Sequence, residues 1–527
     1  MIGRTSASTR IALLVVATLG GIFLGPADRL VADDYELGFS TYLGGSDWEH
    51  ARDCFVDDQG YVYIVGGTQS EDFPTTEGAF QRQQDMTGDR IGSGGYCDAF
   101  VCKFAPNGRL VWSTLLGGPN YDRAYAVEVD KTGHVYVSGR GGPGFPVTDD
   151  AIQTEFRGSD AGVYGMQNGF LVKLKPDGSG LVWSTYVGVG LLNRDLAIDD
   201  QGDVYVALHY TGKGPLPPAS WFEGALQPEP AGDAEIGAMK LSTDGKAIEW
   251  ATWFGGSAKE GAESGIRLDN DKNVYLNFTT WSPDVPTTEG AHDRSHNGES
   301  DAFIAKLSPD GKKLLFGTYF GTSGIDYGNG THNMALDKEG NAFLVTTTDS
   351  AEMPVTEGAL QRQLSKGKRD IVASKFSSRD GRLLNCTYLG GTGNEEPDGV
   401  CISPGGDLYF AGSTSSPDFP LTDNALKRTR SEQNDAIFVV MAPDLGSLKF
   451  STYLGGESHD YGRAGFMDAE GNLYLTGSIN GSGWPTKNPH QPKFAGGGGG
   501  KELCYEGGCY AGDVILTKLA VVKPDQP

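Results

Sequence analysis

Apolar positions along the chain come in short bursts rather than at helical spacing. Stretches such as Asp195-Leu-Ala-Ile-Asp199, Val204-Tyr-Val-Ala207 and Ala302-Phe-Ile-Ala-Lys-Leu307 are the length of a strand and rich in Val, Ile, Tyr, Phe and Thr. They stop at Asp or Asn with Gly, as in Asp57-Asp-Gln-Gly60 and Pro309-Asp-Gly311. That composition, closed by those turn residues, predicts β-strands joined by tight hairpins. No later segment has the length and period of an amphipathic helix. The one long apolar run is Ile11–Gly25, preceded by Arg4 and Arg10 and followed by small residues ending at Ala27 and Ala32. This is the layout of a secretory signal peptide over 1–32. Fifteen residues fall short of the eighteen or so that a spanning helix needs, so the alternative of a retained anchor is the weaker one and no membrane span is expected once the signal is removed.

The strand pattern repeats. Phe39-Ser-Thr-Tyr-Leu-Gly-Gly45 returns from Trp112, Trp183, Trp250, Phe316, Asn385 and Phe450, giving seven copies spaced by 65 to 73 residues. A second string runs in phase with it: Phe73-Pro-Thr-Thr-Glu-Gly-Ala-Phe-Gln81, with relatives from Phe145, Val285, Met353 and Phe419 and degenerate copies at Leu216 and Trp484. Each unit holds four strand-like stretches. Four antiparallel strands taken seven times predict an all-β, seven-bladed β-propeller over about 37–519, with a short tail at 520–527. A solenoid is the runner-up, but the polar capping repeats it needs are missing. After the signal the chain starts on the fourth strand type, at Phe39, and stops on the third, at Asp513–Leu519. Equal blades therefore require the N- and C-terminal strands to pair and close the ring.

In these in-phase strings, Ser-Thr-Tyr-Leu-Gly-Gly, Val-Tyr, Phe-Pro-Thr-Thr, Asp-Ala-Phe-Val and Lys-Leu, the chain resembles the bacterial secreted seven-bladed β-propeller repeat (SBBP-type) family. The resemblance implies a propeller carried outside the cytoplasm, in the periplasm, at the cell surface or secreted, and implies no particular ligand. The third unit departs from it, with Leu208-His-Tyr-Thr-Gly212 and Leu216-Pro-Pro218 where the common strings are expected.

Charge narrows the partners. With 43 Lys+Arg against 68 Asp+Glu the net charge is −25, which disfavours nucleic acid and anionic lipid. A polar ligand, glycan or protein remains. Seven cysteines leave at least one thiol unpaired within the chain; Cys504 and Cys509, flanking a Gly-Gly turn, are the expected disulfide, whereas Cys97 and Cys102 could join only if Cys97 curls back.

Two connections in each unit are expected to be tight and two long, the long ones sharing one rim, where ligands are expected. The loops entering the innermost strands carry Trp48, Glu49, His50 and Arg52; Tyr121, Asp122 and Arg123; Asn193, Arg194 and Asp195; Lys259, Glu260 and Glu263; Asp326 and Tyr327; Glu395, Glu396 and Asp398; and His459, Asp460, Tyr461 and Arg463. Carboxylates, guanidinium groups and rings in one circle suit a polar ligand such as a sugar or peptide. The competing reading is a solvated loop set with a structural Asp-Tyr motif of the repeat. His50, His332 and His459 share this loop class, but nothing in their spacing makes them metal ligands, and no cofactor is expected. Asp269-Asn-Asp-Lys-Asn273 lacks the glycine and distal Glu of a calcium loop, and neither a Gly-x-Ser-x-Gly elbow nor a His-Glu-x-x-His motif occurs. The expected function is an exported binding or scaffold module; a lyase or lactonase at the channel mouth is the alternative, by fold analogy alone.

Overall fold

The structure, a computed structural model, describes residues 34–522 except 89–95, 189–190, 215, 328–331, 497–503, 506–507 and 510–511. The signal segment lies outside the described residues. Among those described there is no α-helix, and no helix long and apolar enough to cross a membrane.

Seven antiparallel sheets of four main strands follow one another around a ring. In blade one the strands are Glu49–Val56, Val62–Thr68, Asp98–Phe104 and Leu110–Leu116, from the channel outward. Blades two to six repeat the order, with first strands at Arg123–Val129, Leu191–Ile198, Gly265–Leu268, Asp326–Tyr327 with Met334–Leu336, and Glu395–Ile402. Blade seven is composite. Asp460–Met467, Leu473–Ile479 and Asp513–Val521 come from the C-terminal end, and Tyr35–Leu43 closes the sheet from the N-terminal end. Its register places Phe39 opposite Lys518 and Tyr42 opposite Ile515, which is the closure the strand count requires.

The core lies between blades, where the apolar faces of neighbouring sheets meet. Phe39, Val62, Phe100 and Leu516 share one such layer, and Tyr63, Val101, Val137 and Phe170 share the next. Single sheets this small could not bury enough surface alone; stacking them face to face does so.

One expectation about the loops is corrected. The connection from the fourth strand to the next blade is as short as the hairpins, for example Leu43 to Glu49 and Leu454 to Asp460. Only the second-to-third connection is long, and it does not stand free at the rim. It turns outward and lies along the fourth strand: Thr76 N–H donates to Ser113 O, and Leu115 N–H donates to Gln81 O. The Phe-Pro-Thr-Thr string is the anchor of this cover, with Phe73 buried and stacked on Phe100 at 5.0 Å. An otherwise bare outer edge is thereby paired.

Candidate functional site

The sequence-predicted circle divides into two sets with different jobs. The first holds Glu49, Asp122, Glu260, Asp326, Glu395 and Asp460. Each carboxyl group caps the turn four residues upstream, accepting from the backbone N–H of Gly45, Gly118, Gly256, Thr322, Gly391 and Gly456 respectively. Across the blade interface a second acid stands close by: Gly44 is flanked by Glu49 and Asp513, Gly390 by Asp370 and Glu395, and Gly455 by Asp435 and Asp460. A Cβ at Gly455 would lie 2.7 Å from both acids, so the repeated Gly-Gly is the space into which the carboxyl pairs fit. Burial pushes Glu49 and Asp460 up to about 8, Asp122 up to about 7 and Glu395 up to about 7. These six are scaffold residues. His459, half-buried and stacked on Tyr461 at 6.1 Å, lies beside the last of them.

The second set converges in the channel. The innermost strands of blades one, two, three and seven each slip register by one residue, and the skipped residue is Arg52, Tyr125, Arg194 and Arg463 in turn. A bulge re-aims the extra side chain out of the alternating pattern. Here that residue faces the channel in each blade. Arg52 Cζ lies 4.9 Å and Arg194 Cζ 4.4 Å from the centre of the Tyr125 ring, joined by Arg123 at 5.5 Å and Arg140 at 5.6 Å. Trp48 backs Arg123 at 5.3 Å, and Tyr121 backs Arg140 at 5.1 Å. His50 meets Arg123 through Nδ1; burial and then the charges of Arg123, Arg52 and Arg463 hold its pKa well below the usual value, so the ring is neutral and accepts.

Among the described residues, five guanidinium groups here face three carboxyl groups, Glu263, Asp398 and the partly buried Glu396, which feels the charge of Arg463. Glu263 lies 3.6 Å from Arg194, and Asp398 lies 3.9 Å from Arg463. Arg123 and Arg140 are each 3% exposed. The Nε atoms of Arg52, Arg123, Arg140 and Arg194 are buried without a hydrogen-bond partner. Burial alone would raise the Tyr125 phenol, but Arg140, Arg194, Arg123 and Arg52 overcome it and bring it down to about 7. The arrangement can therefore hold an anion and, through Tyr125, exchange a proton near neutral pH.

One residue further along, the channel is bridged. Asp53 and Asp195 accept from Val127 N–H and Ile266 N–H of the following blades, at 2.8 Å and 2.9 Å. His332 from blade five sits between them, 3.6 Å from Asp53 and 3.5 Å from Asp195, while Arg267 donates to Asp195 at 2.6 Å. Burial lowers the His332 pKa, but the two carboxylates win and raise it. Asp195 is thus a strut of this bridge rather than a rim residue. Among the described residues no group of three or more metal-ligating side chains converges.

The sequence circle did not include Tyr125, Arg140, Asp53 and Arg267. A signal for the first was present: Arg52, Tyr125, Arg194 and Arg463 each stand five residues before the Asp that opens the first hairpin, at Asp57, Asp130, Asp199 and Asp468. Arg140 replaces a small residue at the end of the second strand, as Gly67 and Ser478 show. Cys504 and Cys509 are backbone partners in a short hairpin, but their side chains lie outside the described residues. The five cysteines described, Cys97 and Cys102 among them, are unpaired.

No protein-family model matches the chain, and no curated protein does. Solved structures do. Polysaccharide lyase Uly1 aligns over 93% of this chain and 99% of its own at 8% identity and a TM-score of 0.42. Quinohemoprotein alcohol dehydrogenase from Comamonas testosteroni aligns over 95% of this chain and 79% of its own at 11% identity and a TM-score of 0.39. The β-propeller domain of the Trilobed protease from Pyrococcus furiosus aligns over 82% and 90% at 7% identity and a TM-score of 0.37. At such identities the likeness is one of fold alone.

Proposed function

We propose that this β-propeller is an exported binding protein that takes an anionic group of its ligand into the mouth of the channel, onto Arg123, Arg140 and the arginines around them. One observation carries the reading: in a chain of net charge −25, four buried Nε atoms of one arginine cluster lack a partner. Buried charge is costly unless it is paired, so a concentration of it facing a channel is best accounted for by an anion that completes it. The resemblance to secreted propeller repeats and the signal-like segment over 1–32 support export; the mature chain is expected to begin between Asp28 and Asp33, and terminal sequencing of native material that found Met1 would remove that part.

Calorimetric titration with carboxylated, sulfated and neutral sugars and with acidic peptides tests the ligand class. Arg140→Gln and Arg123→Gln should each weaken binding of an anion at least about tenfold, since breaking a buried charge contact costs several kcal/mol. Neutral compounds bound as tightly as anions by the unaltered chain would sink the proposal. A second reading, elimination at a carboxylated substrate, has Tyr125 in its favour. It expects an unsaturated product on incubation with such a substrate, lost in Tyr125→Phe.

A further inference from the structure

Beside the arginine cluster, between the rims of blades four and five, a cleft of about 360 Å³ opens. Trp281 and Tyr327 form part of its wall, with Arg369 at its edge. Arg369 is fixed in place, donating to the Tyr327 hydroxyl at 2.5 Å with its guanidinium 5.4 Å from the ring centre. Ser300 also lines the cleft; it is 1% exposed, and its hydroxyl has no hydrogen-bond partner. Glu263 belongs to both places. One carboxylate oxygen faces Arg194 of the cluster, and the other is buried without a partner while the residue lines the cleft.

Each ring carries a cation on one face, Lys259 Nζ at 4.2 Å from the centre of Trp281 and Arg369 over Tyr327; the opposite faces, set beside an unused hydroxyl and a carboxylate, match what a pyranose presents. Its C–H face stacks, and its hydroxyl groups donate to Glu263 while accepting from Ser300 and Arg369. An acidic peptide fits less well, because its carboxylates would meet Glu263. We infer that the cleft is a sugar subsite, and that the ligand is an acidic oligosaccharide whose charged residue sits on the arginine cluster while a neighbouring residue of the same glycan lies against Trp281 and Tyr327. This rests on the anion-binding reading above and adds the second subsite and the glycan class.

The test uses the purified full chain with four probes: a uronic acid monosaccharide, a tetramer in which that uronic acid alternates with a neutral sugar, the neutral monosaccharide and tetraglutamate. Two linked contacts should make the tetramer bind at least about tenfold more tightly than the uronic acid monomer. Trp281→Ala and, separately, Tyr327→Ala should erase that advantage while leaving the monomer's affinity unchanged, which also shows that each variant is folded. Arg140→Gln should weaken monomer and tetramer alike. A tetramer advantage that survives both aromatic substitutions, its absence in the unaltered chain, or tetraglutamate bound as tightly as the tetramer overturns the subsite and leaves the anion reading standing. Failure of the unaltered chain to bind either uronic acid probe while it binds neutral sugars overturns both.

Discussion

Glu49, Asp122, Glu260, Glu395 and Asp460 stand four residues after the second glycine of the repeated motif, blade after blade. That regularity was visible in the sequence, and it marks a fold requirement: what six of the seven units carry caps a turn. The residues that gather at the channel are those in which units differ, Arg123 against His50, Arg140 against Gly67. Sequence alone named Arg123 and Arg52 among the loop residues, but it could not separate caps from channel residues, because the bulges that re-aim Arg52 and Tyr125 leave no mark in composition. The caps make a prediction of their own. Burial raises Glu49 from about 4.5 to about 8, so the fold favours its neutral form. Its contribution is complete below the unfolded value and is lost as pH rises through about 8. Asp460, Asp122 and Glu395 act in the same direction. The hairpin acids Asp130, Asp203, Asp269 and Asp337, lowered despite burial by their hydrogen bonds and Lys partners, are ionised well below this range and do not oppose the trend. Burial lowers His50, His209, His292, His459 and His490, which act the opposite way below their ordinary value of about 6.5, so the melting temperature should fall between about pH 6.5 and pH 8, and Glu49→Gln should reduce the slope. A melting temperature that is flat or rising over that interval contradicts the assignment.

At the scale of elements, the two repeated strings are one device. The tyrosine of Ser-Thr-Tyr stands on the fourth strand, and its hydroxyl clasps the base of the long loop. Tyr453 donates to Ser416 O at 2.7 Å and accepts from Phe419 N–H at 3.0 Å, and Tyr186, Tyr319 and Tyr388 repeat the pair of bonds. The glutamine that ends the second string completes it. Gln81, Gln361 and Gln491 each donate to the first Asp of the third strand and accept from the first glycine after the fourth. Both strings were legible as a phase-locked pattern. Their partnership was not, because sequence spacing does not say which way a twenty-residue connection turns. Tyr453→Phe keeps the buried ring and removes only the clasp, leaving Phe419 N–H unsatisfied. It should cost about 2 kcal/mol in chemical denaturation and loosen exchange protection over Ser416–Phe419 before the strands. No loss of stability would make the clasp incidental.

The ring as a whole is closed by its two chain ends. Seven copies of each strand type, beginning on the fourth and ending on the third, admit equal blades only if the ends pair, and Tyr35–Leu43 does lie on Asp513–Val521. The N-terminal strand serves two interfaces. Phe39 is buried in the layer shared with blade one, against the turn at Gly108, while Tyr42 faces the layer shared with blade six and accepts from Trp484 N–H at 3.0 Å. Trp484 in turn donates to Ser40 at 2.9 Å, so the degenerate second string of the last unit is also fastened to the first strand. The ring that positions the arginine cluster is thus held by a segment far from it in sequence: Arg52 and Arg463, which flank the closure from either end of the chain, keep their spacing only while the seventh sheet is complete. Phe39→Ala should cost about 3–5 kcal/mol, the range for emptying a buried aromatic site. Deleting 35–43 should do more, exposing the Asp513–Val521 edge and promoting concentration-dependent association. Urea denaturation and sedimentation check the two together. A deletion variant that keeps the parent's midpoint and stays monomeric would show that the ring does not depend on this strand.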